Sequence, residues 1–282
     1  MQVKSAGITD VGLKRKGNED HFSAEDSLCL YIVADGMGGH QAGEVASRMA
    51  VEMIYKSYEK WVTAAASADE LFGSPDDSLS TRGNYVQSSI RLANRIVYET
   101  ARDVEQYHGM GTTVGVLAIH QDRIVAANVG DSRIYMVREG HLESISKDHT
   151  LVSEQVALGM MTPEEAESSP LRHVLTKNLG SYETVDPEIY EIEPSNNDRF
   201  ILCSDGLTDL VSDEEILQMT LNADEPGPLC QKFIETALKR GGHDNTTVVS
   251  VFLTDMISKK GGPISRMGLF LADLLRSVSR KK

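Results

Sequence analysis

The chain has 282 residues, of which 40% are hydrophobic and 25% charged, an ordinary globular composition with room for one large domain or two small ones. Its formal net charge of −14 argues against a nucleic-acid binder that relies on general electrostatics. No apolar stretch approaches the roughly 20 residues needed to span a bilayer, and the opening Met1-Gln-Val-Lys-Ser5 lacks an apolar signal region. Three scattered cysteines, Cys29, Cys203 and Cys230, make neither a disulfide framework nor a zinc site, so the expected compartment is the cytoplasm.

In chain order, residues 5–10 read as a short strand, followed by a polar loop that holds Arg15 and the adjacent acids Glu19 and Asp20. Arginine recognises phosphate through a planar fork of donors, so Arg15 near metal-binding acids suits a phosphorylated substrate. The apolar run from Leu28 to Ala34 reads as a buried strand that drives into Asp35, and Gly36, Gly38 and Gly39 then free the backbone. A carboxylate at the mouth of a core strand, beside an open carbonyl, suits a hard metal ion. A capped turn before a helix is the plainer reading of the same residues.

Residues 41–55 read as a helix with Met49 and Met53 on its apolar side, and residues 64–83 as a connection. Residues 84–105 form a second helical pattern, with Val86, Ile90, Ala93, Val97 and Ala101 at steps of three and four. The runs 111–120, 123–129, 133–138 and 141–145 read as an antiparallel meander. Asp131 lies at a strand end there, where an acid either caps a turn or reaches a site. Residues 151–180 are helical and loop-like and interrupt the strands, with Thr150 or Asp148 as helix cap. They read as a mobile, substrate-facing flap or as surface elaboration. Strands resume at 188–193 and 198–203, and the second runs into Asp205-Gly206, repeating the pattern at Asp35-Gly36. Helices follow from Ser212, which opens a capping box, and over 229–239, before Asp244 introduces a last β-branched run.

Strand-terminal acids therefore stand at Asp35, Asp131, Asp205 and Asp244, with Glu19 and Asp20 in the first loop. His40, His149, His173 and His243 share no metal-ligand spacing, so the set is all oxygen and selects Mg²⁺ or Mn²⁺ over zinc. Two such ions sharing a carboxylate ready a water at neutral pH and steady a phosphoryl oxygen. No Cys or Ser occupies a nucleophile-elbow or phosphate-loop motif, which speaks against a covalent phospho-enzyme.

The motifs Gly12-x-x-Arg15-x-x-Asn18-Glu19-Asp20, Val33-Ala-Asp35-Gly36-Met-Gly-Gly39, Gly111-Thr-Thr113, Val129-Gly-Asp131-Ser-Arg133, Cys203-Ser-Asp205-Gly206-Leu207 and Asp244-Asn245-x-Thr247 stand in one order over residues 1–254. In them the chain resembles the metal-dependent serine/threonine protein phosphatases of the type-2C (PPM) family, in its bacterial form. The resemblance implies an α+β fold: a central antiparallel β-sandwich flanked by helix pairs, in α-β-β-α layers, with metals in a cleft at one end. It implies two ions, Mn²⁺ or Mg²⁺, with Asp35 bridging them, the Gly36 carbonyl on one, Asp205 and Asp244 on the other, and Glu19 acting through a bound water. Asp20 stands near the same ion, Arg15 holds the substrate phosphate, and Asp131 with Asp205 fits a third ion, where Asp209 is a weaker candidate. The implied reaction is hydrolysis of phosphoserine and phosphothreonine in proteins by a hydroxide bridging the metals, opposing a serine/threonine kinase. Residues 151–180 fall where the family has its flap.

One position departs from the animal pattern. Met37 stands where those members carry a histidine proposed as general acid, and methionine donates no proton. His40 and His149 are the nearest replacements by motif, with a metal-bound water as the other source. A catalytically weak regulatory module on the same scaffold, or a partner-switching phosphatase, is the alternative function, and the full set of acids speaks against the first.

Residues 255–282 are chemically distinct. From Lys259 onward there are seven basic residues and one acid, which leaves 21 basic and 41 acidic residues in the remainder, a net near −20. Behind Gly261-Gly-Pro263, the residues Ile264, Met267, Leu271, Leu274 and Val278 predict a basic amphipathic helix. Such a helix rests on an anionic membrane surface, here the inner membrane face, docks on a protein partner, or packs back on the acidic body.

Overall fold

In a computed structural model that describes residues 1–38 and 42–254, eleven strands and seven α-helices account for most of the chain. The strands are β1 (Gln2–Asp10), β2 (Asp20–Glu25), β3 (Leu30–Met37), β4 (Gly111–Thr112), β5 (Val114–Ile119), β6 (Ile124–Val129), β7 (Arg133–Arg138), β8 (His141–Ser144), β9 (Glu188–Ile192), β10 (Arg199–Cys203) and β11 (Thr246–Thr254). The helices are α1 (Ala42–Ala64), α2 (Thr81–Asp103), α3 (Leu151–Ala157), α4 (Pro163–Glu167), α5 (Asp205–Thr208), α6 (Asp213–Leu221) and α7 (Pro226–Lys239).

Side-chain alternation along the buried strands sorts these elements into layers. One sheet has the order β1-β11-β10-β7-β8 and the other β2-β3-β5-β6-β9, with β4 paired to β3. Every pairing is antiparallel. On β3, Tyr31 and Val33 face the other sheet and meet Phe200, Leu202, Val249 and Val251. Leu30, Ile32 and Ala34 point the opposite way, into a core shared with Ala46, Ile54, Val86 and Ile90 of α1 and α2. On the far side of the first sheet, Ile201, Cys203 and Val248 are covered by Ile216 of α6 and Phe233 and Ile234 of α7. A strand buried on both faces needs helices outside and a sheet inside, since each large apolar side chain taken from water stabilises the fold by roughly 1.5–3 kcal/mol. The result is the α-β-β-α sandwich.

The expected meander is corrected by the structure. β5 and β6 pair in one sheet, but β7 pairs with β10 and β8 in the other. The turn at Gly130-Asp131 carries the chain across from one sheet to the other, and Gly130 adopts a left-handed φ of 103° to make it. This crossing brings Asp131 to the end of the sandwich. Of the two candidate caps for α3, Thr150 fills the role, its Oγ1 accepting from the Ser153 N–H at 3.2 Å. Asp148 is engaged by Arg133 instead. The capping box at Ser212 and Glu215 forms as the sequence suggests.

β1 and β11 run side by side for their full length, Asp10 against Thr246 at the cleft end and Gln2 against Thr254 at the other. Among the described residues no helix is long and apolar enough to cross a membrane. His40 and the basic segment from residue 255 onward lie outside the described residues.

Candidate active site

Two sheet ends and the crossing between them supply the acids. Asp20 opens β2 and Asp35 lies near the end of β3, and the two are direct cross-strand partners. Side chains so paired share a face, here the one toward the opposite sheet. Asp205 follows β10 and Asp244 lies two residues before β11, so both come from that opposite sheet. A cleft of about 830 Å³ opens between them. Arg15, Glu19, Asp35, Gly36, Asp131, Asp205, Asp209 and Asp244, all singled out from sequence, line it.

The backbone around Asp35 is fixed by hydrogen bonds from both sides. Its N–H donates to Thr113 Oγ1 at 3.0 Å, and its carbonyl oxygen accepts from the Thr113 N–H at 2.9 Å and the Thr112 hydroxyl at 2.8 Å. A Cβ at Gly36 would collide with the carbonyl oxygens of Gly43 and Glu19, so only glycine lets α1 and the Glu19 loop close on this strand. Asn245 ties down the first loop: its Oδ1 accepts from the Glu19 N–H at 2.8 Å, and its Nδ2 donates to the carbonyls of Val11 and Gly17. Arg15 donates to Asp244 Oδ2 at 2.6 Å, which keeps the guanidinium at the cleft.

Asp20 lies beneath the cleft rather than on its wall. Its Oδ2 accepts from Ser204 Oγ at 2.8 Å and Thr247 Oγ1 at 2.7 Å, while its Oδ1 is buried without a hydrogen-bond partner. Burial pushes its carboxyl up to about 7, the two hydroxyls oppose this, and Asp205 and Asp244 add to it. Asp35 is raised well above the ordinary carboxylate range, first by burial and then by Asp20, Asp205, Asp131 and Asp244. Burial, with Asp205 and Asp148, raises Asp131 to about 7. Asp205 Oδ1 is a second buried oxygen without a partner. Crowded, buried and partly unpartnered carboxylate oxygens fit hard divalent cations.

Sequence reading missed the flap's contribution. His173 places Nδ1 3.5 Å from Asp205 Oδ2 and Nε2 3.5 Å from Asp209 Oδ2, and Arg172 Nη2 is 3.7 Å from Asp209. Asp131, His173 and Asp205 each offer one donor atom within 4.8 Å of the others. The hydrogen bond to Asp205 is the main cause that raises the His173 pKa. No local spacing marks His173, because only the fold of the flap brings it over α5.

The suggestion that His149 replaces the animal histidine is corrected. His149 is buried outside the cleft lining, its Nδ1 accepting from the Gly130 N–H at 3.0 Å and its Nε2 3.3 Å from Glu188 Oε1.

Comparison with known proteins agrees with this geometry. The family profile of Protein phosphatase 2C matches residues 15–238. The protein phosphatase PhpP of Streptococcus pneumoniae is 32% identical over 251 residues, covering 88% of this chain and 96% of that protein. The crystal structure of the Mycobacterium tuberculosis serine/threonine phosphatase PstP/Ppp superposes with a TM-score of 0.79 at 35% identity, over 90% of this chain and 100% of that one. The catalytic domain of PstP in complex with two manganese ions gives a TM-score of 0.72 at 36% identity, over 90% and 99% of the two chains. With its acids converging between two antiparallel sheets and the family profile matching residues 15–238, the chain belongs to the protein phosphatase 2C family.

Proposed function

We propose that the cleft binds two divalent cations, Mn²⁺ or Mg²⁺, between the sheets and hydrolyses phosphoserine and phosphothreonine in protein substrates. Membership of the family makes the chain a metal-dependent serine/threonine protein phosphatase. The observation that supports this site most directly is the cross-strand opposition of Asp20 and Asp35, met by Asp205 and Asp244 from the other sheet.

Asp35, the Gly36 carbonyl, Asp205 and Asp244 would hold the two ions, the first two from one sheet and the last two from across the cleft. Asp20 and Glu19 stand one step further out, and Asp131 with Asp205 suits a third ion, with Asp209 and His173 next to it. The bound ions supply Lewis-acid charge and lower the pKa of water at the site. Arg15 donates its N–H groups to the phosphoryl oxygens and offsets their charge, with Asp244 orienting it. Asn245 and Thr113 hold the loops that carry Glu19 and Asp35, so these groups are oriented before substrate arrives. Met37 donates no proton to the leaving alkoxide, and His149 is too far buried to do so.

The test is hydrolysis of para-nitrophenyl phosphate and a phosphothreonine peptide with Mn²⁺, Mg²⁺ or EDTA. Turnover with either ion and none with EDTA is expected, and Asp35→Asn should lower kcat by roughly 10³-fold without unfolding the protein. Wild-type turnover by Asp35→Asn at saturating Mn²⁺ would sink the assignment. A folded wild-type chain inert on both substrates would favour the regulatory-module reading.

The substrates fit proteins phosphorylated by a serine/threonine kinase. The basic segment after Lys259 supports contact with an anionic inner membrane face or a protein partner. Co-sedimentation with phosphatidylserine vesicles should be stronger for the full chain than for residues 1–254, and equal sedimentation dismisses the membrane role.

A further inference from the structure

Both roots of the flap are bonded to the segments that carry the cleft acids. At the N-terminal root, residues 145–149 run beside residues 128–134. Asn128 Nδ2 donates to the Lys147 carbonyl at 2.8 Å. The Gly130 N–H donates to His149 Nδ1 at 3.0 Å, and the Gly130 carbonyl accepts from the His149 N–H at 2.9 Å. Arg133 closes on Asp148 with Nε at 3.0 Å and Nη2 at 2.7 Å, and the Ile134 N–H donates to Ser146 Oγ at 2.9 Å. Asp131 and Ser132 lie inside this ladder.

The flap's own stem begins where the ladder stops. The His149 carbonyl accepts from the Thr176 N–H at 2.8 Å, and the Leu151 N–H donates to the Val174 carbonyl at 2.9 Å. At the C-terminal root, Leu179 and Thr112 exchange backbone bonds of 2.8 and 3.1 Å, and the Gly180 N–H donates to Asn94 Oδ1 of α2 at 3.0 Å. Thr112 is the residue whose hydroxyl reaches the Asp35 carbonyl.

We infer that His149, together with the Arg133–Asp148 pair, is a clamp that joins the flap stem to the Asp131 turn as one rigid unit. Arg172 and His173 then meet Asp205 and Asp209 in a register set by the contacts that also place Asp131. His149 is a positioning residue in this arrangement. Its ring suits the task because Nδ1 accepts from Gly130, which leaves the ring proton on Nε2, a buried atom 3.3 Å from Glu188 Oε1 of β9 without a formed hydrogen bond. An asparagine could keep the first of these contacts, and leucine neither.

The experiment compares full-length wild type, His149→Leu, His149→Asn and Asp148→Asn. It reads thermal unfolding, manganese binding by calorimetry, tryptic cleavage after Arg172 and Lys177, and kcat and KM on para-nitrophenyl phosphate. Folded His149→Leu should be cut in the flap about tenfold faster, and should lose roughly ten- to a hundredfold in kcat with little change in KM, as expected when reacting groups are misplaced. His149→Asn should recover most of both. Asp148→Asn should move the same way, and it decides the matter if His149→Leu does not fold. Wild-type cleavage and kcat in the variants overturn the clamp. So does faster cleavage at unchanged kcat, which a merely structural tie would give. The catalytic readout rests on the phosphatase reading; if wild type hydrolyses nothing, that reading fails on its own, and cleavage rates alone decide whether the stem is held.

Discussion

Asp20 and Asp35 face one another on neighbouring strands, an arrangement of like charges that destabilises a sheet unless a cation compensates. Burial already drives Asp20 up to about 7. A carboxyl whose native pKa lies above its unfolded value near 4 contributes stability while protonated, and that contribution is lost as pH rises through the native value. For Asp20 alone the loss between about pH 4 and 7 is at most about 4 kcal/mol, at roughly 1.4 kcal/mol per pKa unit. EDTA-treated protein should therefore show a Tm that falls between pH 5 and 7.5. Asp20→Asn should flatten that fall, and so should saturating Mn²⁺. An unchanged slope in Asp20→Asn would count against the electrostatic account. At this scale the acids were legible because each ends a strand or opens a turn. His173 was not, since it reaches Asp205 from 32 positions away in sequence through the flap. His149 misled for the opposite reason: it is near the motifs in sequence and buried away from the cleft in space.

Among the elements, α1 and β3 meet at a pair of glycines, Gly36 and Gly43, neither of which has room for a Cβ. Gly36→Ala would force its Cβ into the carbonyls of Gly43 and Glu19, displacing the first turn of α1 and the loop that holds the acids. A loss of roughly 1–3 kcal/mol in stability is expected, as for other overpacked sites, read by denaturant unfolding and accompanied by a fall in phosphatase activity. An unaffected midpoint would mean that α1 can give way without cost. Helix positions were readable from their three- and four-residue steps. The pairing of β6 and β7 was not: β6 is buried throughout and β7 along its middle, so neither strand's pattern says which sheet it joins. A Gly-Asp turn looks the same in a hairpin and in a crossing between sheets.

For the molecule as a whole, the layer order could be inferred because strands buried on two faces demand two kinds of cover, and the motif resemblance then supplied the arrangement. What it could not supply was the stitching between flap and sheets, which depends on pairings such as Thr112 with Leu179 and Asn94 with Gly180. The parallel course of β1 and β11 beside each other, though opposite in chain direction, has an orientational outcome. Thr246 begins β11 next to the acids and Thr254 ends it beside Gln2, eight residues on, a distance of about 27 Å at roughly 3.4 Å per residue. Thr254 therefore lies at the end of the sandwich away from the cleft. A surface that met the molecule at that end would leave the mouth turned outward, where bulky phosphoproteins could approach unshaded.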